Sequence, residues 1–575
     1  MRAAWLWLAA AMVLILGGGL LAHAVQTAGG TAVAEVQFAG DRRTRIAGLL
    51  YTPSSATAER PAPAVLLSHG YINTREMQSA FAIELARRGF VVLAMDMPGH
   101  GYSDAIVGAN DFGGPAALRY LKSLPQVDPA NIGLAGHSLG GGPVVGAAAS
   151  DPDGYKASAL VGSTPAIGAV FGSQAQAELR NLSVVFGAYD EFAPLMWQVE
   201  KGAGIARSKA LMDLFGTAEP VVEGRLYGDP AAGTARVLHV PPITHPWEHF
   251  SAAGVGPVVD WFQQRLEGEA APRPPGDQIW FWKEVGTLIA FVGFVMLLLA
   301  TFRLLLAAPW LSAMSAPGEP VRECPDRRWL LAFVLTAAVP AITFFPLMKL
   351  GMLFFPNRVF PQWVANQLVV WALANALITF VLAVFLKGGR PSFRADWPRS
   401  VAIALGTLGA GYAALLLADA LFEIDFRFWV LALKAPDARQ AVAAAAYAPL
   451  WILFFLVALR ALNANLALKG QGALAQSATY ALALSLGFVL LLTVQYVSLF
   501  ATRVLAIPSE PLNTIIAIQF VPLLAIVGVI AALTWRWTNA YLPGALICGL
   551  LVAWYVSAGT AMHWSPGFQL PMPGR

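Results

Sequence analysis

Apolar and polar residues alternate along the chain in two different ways, and the change falls near residue 275. Between residues 30 and 270, short apolar runs alternate with mixed segments of helical length. Such runs are typical of strands buried on both faces, and their alternation with helices indicates a parallel sheet covered on both sides. We predict two strands within residues 33–55, a strand that begins at Asn131, and further strands at Pro63–His69, Phe90–Met95, Ala157–Gly162, Leu182–Phe186 and Ala235–Val240.

The segments between these strands carry the predicted helices. They lie at about Thr74–Arg88, 110–123, Gly140–Ala149 and Ala252–Arg265. Ser251 stands directly before the last of them and is the predicted N-cap, because a serine hydroxyl there accepts a hydrogen bond from an otherwise unpaired backbone N–H. The residues Arg42–Arg45 are predicted to form the turn between the first two strands.

A Pro-rich linker at residues 271–278 separates this domain from a long C-terminal part. Residues 279–575 contain eight apolar runs that are long enough to span a bilayer, each bounded by Arg, Lys, Pro or Trp. The tryptophans near their ends fit the aromatic belt of a membrane protein. The sequence therefore predicts an all-helical membrane domain with spans at about 279–306, 329–355, 363–386, 400–421, 443–463, 474–500, 514–534 and 540–561.

The first 29 residues contain one more apolar run, at residues 4–22, behind the single basic residue Arg2. Its length of about 19 residues suits a membrane-spanning helix. The sequence Ala22-His23-Ala24 also resembles a signal-peptide cleavage site, so removal of this segment stays an alternative. We favour a retained anchor, which brings the number of predicted spans to nine.

Composition and charge agree with this division. Hydrophobic residues make up 57% of the 575 residues and charged residues only 13%, which is too apolar for an ordinary water-soluble protein. The net charge of +4, without a basic run, gives no indication of nucleic-acid binding. Lys and Arg are more frequent in the short loops on the side of Arg2, most clearly in Lys387–Arg399. The positive-inside rule therefore predicts that residues 30–275 lie outside the cytoplasm.

The strand that begins at residue 131 runs into the motif G-x-S-x-G, formed by Gly136-His137-Ser138-Leu139-Gly140. Such a turn forces the serine into a strained backbone conformation and leaves room only for very small residues two positions before and after it. It raises the hydroxyl above the sheet and directs the backbone N–H of Leu139 toward an oxyanion. We therefore predict that Ser138 is a nucleophile and that Gly136, His137 and Gly140 form its elbow.

A serine nucleophile needs a base, and the base needs a carboxylate that orients it. In this architecture the carboxylate follows the nucleophile along the chain, and the histidine follows the carboxylate. Asp190 comes shortly after the predicted strand Leu182–Phe186 and is the preferred acid, with Glu191 as the alternative. The structural alternative for Asp190 is a turn residue that caps a helix.

The position of each histidine identifies the candidates for the base. Only His245 and His249 lie in the loop between the last predicted strand and the last predicted helix, where the base belongs. We prefer His245, which is nearer to the strand end, and assign His249 to a supporting position or a substrate contact. His69 and His137 are expected to be structural, and His563 at the far C-terminus is not a candidate.

The second donor of the oxyanion hole is expected in the loop after the strand Pro63–His69. The backbone N–H of Tyr71 is the candidate, paired with that of Leu139. Histidines and acidic residues do not stand at metal-ligand spacings in the sequence, and neither a P-loop nor a dinucleotide-binding fingerprint occurs. The sequence therefore predicts neither a metal nor a cofactor.

Five segments together resemble the α/β-hydrolase superfamily, in particular its dienelactone-hydrolase-like and prolyl-oligopeptidase-like branches. They are Ser68–Tyr71, Asp96–Gly101, Gly136–Gly140, Gly187–Asp190 and the loop around His245. The resemblance covers residues 33–267. It implies a mostly parallel eight-stranded sheet with helices on both faces, a Ser-Asp-His triad and an acyl-enzyme formed on Ser138. It does not choose among esterases, thioesterases, acyltransferases and peptidases.

The favoured hypothesis is a membrane-embedded serine hydrolase that acts on carboxylic esters or thioesters at the outer membrane face. Its expected partners are a small-molecule or lipid-like ester and membrane lipids, with no nucleic acid. The alternatives are a serine peptidase or acyltransferase of the same fold, and a transport or sensing protein with a hydrolase-like binding domain. This last alternative rests on the eight further spans, since one span would be enough for an anchor. Asp419 is a carboxylate expected below the membrane interface, where such groups often serve a function. A packed or interfacial position is the competing interpretation.

Overall fold

The structure, a computed structural model, describes residues 2–41, 44–268, 272–386 and 396–569. Within these residues the chain forms two compact units. The α/β unit consists of Leu21–Glu284 together with two later segments, Tyr496–Pro511 and Gly559–Arg575. The helical unit consists of Met1–Leu20, Val285–Gln495 and Leu512–Ala558. The α/β unit thus includes parts of the chain that lie far beyond the predicted domain at residues 30–270.

Some residues on which the predicted turn and the predicted membrane orientation depend lie outside the described residues. For the turn between the first two strands, these are Arg42 and Arg43. For the orientation in the membrane, they are Lys387, Arg390, Arg394 and Arg575. The prediction of the cytoplasmic side therefore stays a prediction.

The centre of the α/β unit is a sheet of eight strands: β1 (Ala32–Ala39), β2 (Arg45–Thr52), β3 (Ala62–Ser68), β4 (Val91–Met95), β5 (Val127–His137), β6 (Ala157–Val161), β7 (Leu182–Val185) and β8 (Arg236–His239). Their order is β1-β2-β4-β3-β5-β6-β7-β8. β2 runs antiparallel to both of its neighbours, and all other neighbouring pairs are parallel. The mostly parallel, eight-stranded sheet is therefore confirmed.

Helix α1 (Arg2–Gln26) precedes this sheet, and six helices of the α/β unit follow in chain order: α2 (Ser79–Ala86), α3 (Gly114–Ser123), α4 (Gly141–Ser150), α5 (Ala193–Trp197), α6 (Lys209–Phe215) and α7 (Ala252–Arg265). Successive residues of a strand point to opposite faces. On β5, a side chain at Gly133 would meet the Phe262 ring of α7, whereas Leu134 belongs to the core that includes apolar residues of α3 and α4. Helices therefore cover both faces of the sheet, as predicted.

The predicted helix boundaries differ from the observed ones at several places. A 3₁₀ turn at Arg75–Gln78 precedes α2, where a single helix over Thr74–Arg88 was expected. A second 3₁₀ turn at Ser138–Gly140 precedes α4. The start of α7 agrees with the prediction, because the Ser251 hydroxyl accepts a hydrogen bond from the Gly254 N–H at 3.1 Å.

The register of the parallel strands brings their carboxyl ends to one edge of the sheet. Ser68 at the end of β3 pairs with Gly136, and His137 at the end of β5 pairs with Val161. Val161 pairs in turn with Val185, and Val185 with His239. The loops that follow these strands therefore meet at the same edge, which is where ligands bind in open α/β sheets.

Among its described residues, the C-terminal part of the chain contains helices and two short hairpins. Its helices are α8 (Phe281–Leu305), α9 (Arg327–Ile342), α10 (Phe344–Gly351), α11 (Trp363–Leu386), α12 (Trp397–Phe422), α13 (Ala438–Leu466), α14 (Ala473–Thr502), α15 (Pro511–Thr538) and α16 (Leu542–Gly559). The hairpins join Phe426–Phe428 to Leu431–Leu433 and Trp564–Ser565 to Phe568–Gln569. The last two turns of α14 and the second hairpin belong to the α/β unit.

Eight of the described helices are long and apolar enough to cross a membrane, namely α1, α8 and α11–α16. The predicted span at residues 329–355 is instead the pair α9 and α10, bent by 44°. Pro340 lies inside α9 and cannot donate a backbone hydrogen bond, which is a common cause of such bends. Counting this pair as one span gives the predicted total of nine.

Polar side chains inside the helical unit connect neighbouring helices. Asn366 of α11 accepts a hydrogen bond from the Tyr447 hydroxyl of α13 at 2.6 Å. Asn375 donates to Thr343, which lies between α9 and α10, at 3.0 Å. Both asparagines therefore hold neighbouring helices together. Asp419, the candidate intramembrane carboxylate, lies in the last turn of α12.

Candidate active site

Ser138 stands at the sharp turn between β5 and α4. Its backbone has a φ of 55°, a left-handed conformation that residues with a side chain seldom adopt. A Cβ atom on Gly136 would lie 2.0 Å from the Gly140 carbonyl oxygen, and one on Gly140 would lie 2.4 Å from the Ser68 carbonyl oxygen. A Cβ atom cannot lie so close to either oxygen, so only glycine fits at these two positions without a shift of the backbone.

Asp190 and His245 meet at the carboxyl edge of the sheet. The Nδ1–H of His245 donates a hydrogen bond of 2.7 Å to the Asp190 carboxylate, and both side chains are almost fully buried. The other carboxylate oxygen of Asp190 accepts the backbone N–H of Phe192 at 2.6 Å. The two interpretations of Asp190 are therefore compatible, because the same side chain holds the local turn and orients the histidine.

The two alternatives, Glu191 and His249, lie close by but make different contacts. The Glu191 carboxylate accepts the backbone N–H of His245 at 2.8 Å, so it contacts the main chain of the base and not its ring. The ring of His249 packs edge-on against His137, with ring centroids 4.4 Å apart. His245 is thus the histidine that the structure brings to Asp190.

His137 lies beside the candidate base. Its ring centroid is 4.8 Å from that of His245, and its Nε2 is 3.2 Å from the His245 carbonyl oxygen. Burial and the neighbouring histidines hold the pKa of His137 well below its ordinary value, so the ring is neutral and donates one hydrogen bond from Nε2. This contact supports the expected structural role of His137.

Three carboxyl groups surround His245 with different electrostatic properties. Burial alone disfavours the charged imidazole, but the carboxylates of Asp190 and Glu191 outweigh it and raise the pKa of His245 above its ordinary value. Burial and the charge of Asp190 raise the pKa of Glu191 to about 7. The same two causes hold the pKa of Glu248 well above its ordinary range.

Glu248 has a structural contact that explains its buried position. Its Oε1 accepts the backbone N–H of Gly187 at 2.6 Å, which fixes the start of the loop that carries Asp190. Its Oε2 is 3.4 Å from His137 Nε2 and 3.6 Å from His245 Nδ1. The donor atoms of these three residues lie within 4.8 Å of one another, a spacing that a metal ion can bridge. An ion there would displace the proton that His245 shares with Asp190, so we assign the three groups to hydrogen bonding.

The loop that carries Tyr71 lies directly against the nucleophile. A Cβ atom on Gly70 would lie 3.2 Å from the Cβ atom of Ser138. Two histidines donate hydrogen bonds to the main chain of this loop. His69 Nδ1 donates to the Gly70 carbonyl at 2.8 Å, and His100 Nε2 donates to the Tyr71 carbonyl at 2.6 Å. Since the Met97 N–H donates to His69 Nε2, the proton of His69 must be on Nδ1. The peptide before Tyr71 and the tight turn at Leu139 thus both border Ser138.

Two residues near the site were missed by the sequence analysis. The Tyr71 hydroxyl donates a hydrogen bond of 2.9 Å to Nε2 of His563. The Tyr496 hydroxyl donates one of 3.0 Å to Glu191. Both come from the later segments of the α/β unit, and no local pattern in the sequence connects them with a site 300 or more residues earlier.

The backbone next to His563 fixes the segment that carries it. The Met562 N–H donates to the Gly99 carbonyl at 2.8 Å, and the Met562 carbonyl accepts the Val107 N–H at 3.2 Å. Burial and the neighbouring His100 lower the pKa of His563 to about 3, so its ring is neutral and Nε2 can accept the Tyr71 proton. These hydrogen bonds therefore hold the segment that carries His563 next to the Tyr71 side chain.

Comparison with known families agrees with this geometry. Residues 63–188 match the model of a family described as the alpha/beta hydrolase fold. The matched region includes β3, the Tyr71 loop, the elbow around Ser138 and the start of the loop that carries Asp190.

Two characterised proteins are similar over a short part of the chain. A stretch of 126 residues is 32% identical to the quorum-quenching protein AidA of Acinetobacter baumannii, covering 20% of this chain and 40% of that protein. A stretch of 107 residues is 31% identical to the esterase FrsA of Vibrio vulnificus, covering 18% of this chain and 26% of that protein. The chain therefore spans less than half the length of the curated relatives it matches.

Solved structures similar to this chain include two enzymes of comparable size to the α/β unit. The dienelactone hydrolase from Anabaena variabilis is 18% identical with a TM-score of 0.28, over 41% of this chain and 99% of that one. An esterase from Pyrococcus furiosus is 15% identical with a TM-score of 0.30, over 41% of this chain and 92% of that one. On its own strand order, its register and the family match, the α/β unit has the α/β-hydrolase fold.

Proposed function

We propose that the protein is a serine hydrolase that cleaves carboxylic esters or thioesters through an acyl-enzyme. The observation that carries this proposal is the 2.7 Å hydrogen bond between His245 and Asp190, at the edge of the sheet where Ser138 stands in a left-handed turn. Nucleophile, acid and base follow one another in the chain order of this fold. Two buried groups with shifted pKa values and a strained serine at one sheet edge are typical of an active site.

The contacts define the role of each residue in the reaction. Because Asp190 accepts the Nδ1 proton of His245, Nε2 of the imidazole carries the lone pair and serves as the base. Ser138 Oγ attacks the ester carbonyl while its proton passes to Nε2. The negative oxygen of the tetrahedral intermediate accepts hydrogen bonds from the N–H groups of Tyr71 and Leu139. His245 then returns the proton to the leaving alcohol or thiol, and a water molecule hydrolyses the acyl-enzyme by the same steps.

Aromatic side chains around the site favour an apolar acyl group. The ring of Phe192 lies 4.7 Å from the His245 ring, and Phe171 lies 5.3 Å from Tyr71 and 6.4 Å from Phe112. Apolar and aromatic side chains contribute most of the contact in small-molecule sites, and a few polar groups fix the orientation of the ligand. The similarity to an esterase supports the same class of substrate.

The substrate class is tested with the purified full-length protein in detergent. We expect turnover of short- and long-chain p-nitrophenyl esters, and little turnover of matched p-nitroanilides, because the amide is the poorer acyl donor. Comparable cleavage of the anilides would favour a peptidase, and transfer of the acyl group to an added alcohol in preference to water would favour an acyltransferase. Failure of the folded protein to use any of these acyl donors would contradict the proposal.

We further propose that the protein is a multi-pass membrane protein with its catalytic site outside the cytoplasm. The long apolar helices and the excess of Lys and Arg in the loops on the side of Arg2 support this orientation. Cys324 is exposed in the loop between α8 and α9, which this orientation places in the cytoplasm.

A membrane-impermeant maleimide tests this orientation in intact cells. We expect no labelling of the native Cys324 until the cells are permeabilised, and immediate labelling of an added cysteine at the exposed position Ser123 (Ser123→Cys). Since Cys548 is buried, a Cys324→Ser background isolates the second signal. Labelling of Cys324 but not of the cysteine at position 123 in intact cells would reverse the proposed orientation.

A further inference from the structure

The loop that carries Asp190 is contacted by a residue 305 positions further along the chain. The Tyr496 hydroxyl donates a hydrogen bond of 3.0 Å to Oε1 of Glu191. Tyr496 lies near the end of α14, in the turns that belong to the α/β unit. The site of the hydrolase thus includes a hydrogen-bond donor from a helix that sequence reasoning assigned entirely to the membrane domain.

Glu191 connects this donor with the candidate base. Its Oε2 accepts the backbone N–H of His245 at 2.8 Å, while its Oε1 receives the Tyr496 proton. The residue is only 5% exposed, so water does not readily replace either partner. The two oxygens of the Glu191 carboxylate therefore accept hydrogen bonds from two different parts of the chain. In this way the carboxylate connects the His245 backbone with the Tyr496 side chain.

A second set of contacts holds the same end of α14 against this loop. The ring of Phe500 packs edge-on against Tyr189, with ring centroids 5.2 Å apart. The guanidinium of Arg503 lies 4.1 Å from the centre of the same Tyr189 ring, within the range of a cation–π interaction. Tyr189 directly precedes Asp190, so these contacts limit the movement of the loop from the side of α14.

We infer that Tyr496 is a positioning residue for His245 and acts through the carboxylate of Glu191. This inference rests on the proposed function and assigns to it a residue from the C-terminal half of the chain. A buried carboxylate that loses one of its two donors can rotate or take up a proton, and either change weakens its hold on the His245 backbone. The distance between the base and Ser138 depends on that backbone, and small displacements of a base have large effects on rate.

The charges around these groups predict how the effect appears in a pH profile. Asp190, Glu191, Glu248 and His137 face His245, and Asp190, His245 and Tyr496 face Glu191. The charged form of Glu191 helps to raise the pKa of His245. The base must be neutral to act, so activity falls as the pH drops through this raised pKa. Removing the Tyr496 donor favours the neutral form of Glu191, which lowers the pKa of His245 and moves the acidic limb to lower pH.

The test uses the full-length protein and the four members of a double-mutant cycle: wild type, Tyr496→Phe, Glu191→Gln and both changes together. Tyr496→Phe keeps the ring and removes only the hydroxyl, and we expect kcat to fall about five- to tenfold, the range of one buried hydrogen bond. The acidic limb of kcat/KM should move down by about half a unit in both single variants. The double variant should be no slower than Glu191→Gln alone, because both changes break the same link.

Tyr480→Phe is the matched control. Tyr480 lies on the same helix, and its hydroxyl donates to Asn463 at 2.8 Å inside the helical unit. The control should leave kcat and the pH profile unchanged, so a general weakening of α14 can be told apart from the specific effect. Should Tyr496→Phe be too unstable to purify, Glu191→Gln takes its place, because it replaces the carboxylate that connects the Tyr496 hydroxyl with the His245 backbone.

Independent, additive effects of the two changes on kcat, or an unmoved acidic limb in Glu191→Gln, would overturn this role of Tyr496. These outcomes differ from a failure of the proposed function, which would appear as wild-type protein without turnover that depends on Ser138. In that case the role of Tyr496 is excluded together with the reaction it serves.

Discussion

The Ser138→Ala variant is expected to lose between about 10³- and 10⁶-fold of the wild-type kcat for ester hydrolysis, with little change in folding. The methyl group of alanine fits wherever the serine side chain does, and the left-handed backbone at position 138 already accommodates a Cβ atom. Only the nucleophile is removed, so the oxyanion donors and the binding contacts remain and account for any residual rate. The measurement is kcat with a p-nitrophenyl ester for both proteins.

Ser150→Ala provides the matched control for this variant. Ser150 is an exposed residue at the end of α4, the helix that follows the elbow, and its hydroxyl donates to the Ala147 carbonyl. We expect it to keep the wild-type rate. Thermal melting of both variants shows whether either change disturbs the fold. A Ser138→Ala protein that melts normally and still turns over esters at more than about a tenth of the wild-type rate would exclude Ser138 as the nucleophile.

The second large effect is expected at the base. His245→Ala should reduce kcat by about 10⁴- to 10⁶-fold, since without Nε2 the serine hydroxyl is a very weak nucleophile near neutral pH. The variant also leaves Asp190 without its ring partner in a buried site, so the melting temperature is measured beside the rate. Because nucleophile and base act as one unit, the double variant with Ser138→Ala should be no slower than either single variant.

His249→Ala distinguishes between the two histidines of this loop. The His249 ring contacts His137 and not Asp190, so we expect its removal to lower kcat by less than about tenfold through packing. A large loss in His249→Ala together with near-normal activity in His245→Ala would move the role of the base to His249. Equal and moderate losses in both would indicate that neither ring accepts the proton of Ser138.

The strands of the α/β unit could be predicted because their burial leaves a simple signature. A strand covered on both faces is buried at every position and is therefore mostly apolar, as β3, β4 and β6 are. The helical elements were predicted less accurately, since short 3₁₀ turns such as Arg75–Gln78 depend on local backbone geometry that periodicity does not report. The bend between α9 and α10 was not predicted either. Pro340 indicates a possible bend, but the apolar run around it was interpreted as one continuous span.

The residues of the candidate site also fall into two groups, those that could be predicted from the sequence and those that could not. Ser138, Asp190 and His245 could be selected because each lies in the turn or loop that follows a strand, and parallel strands bring their carboxyl ends together. Glu191 stood beside the preferred acid and was weighed only as its replacement, although in the structure it contacts the backbone of the base. Tyr496 and His563 approach from segments far along the chain, and one sequence without long-range information cannot place them there.

The central claim is that Ser138 forms a covalent intermediate with the acyl group, and a fluorophosphonate tests it most directly. This reagent traps activated serines, and peptide mapping of the labelled full-length protein by mass spectrometry identifies the modified residue. We predict one adduct on Ser138, its absence in Ser138→Ala, and strong suppression in His245→Ala with retention in His249→Ala. An adduct on another serine, or none on well-folded wild-type protein, would contradict the proposed reaction.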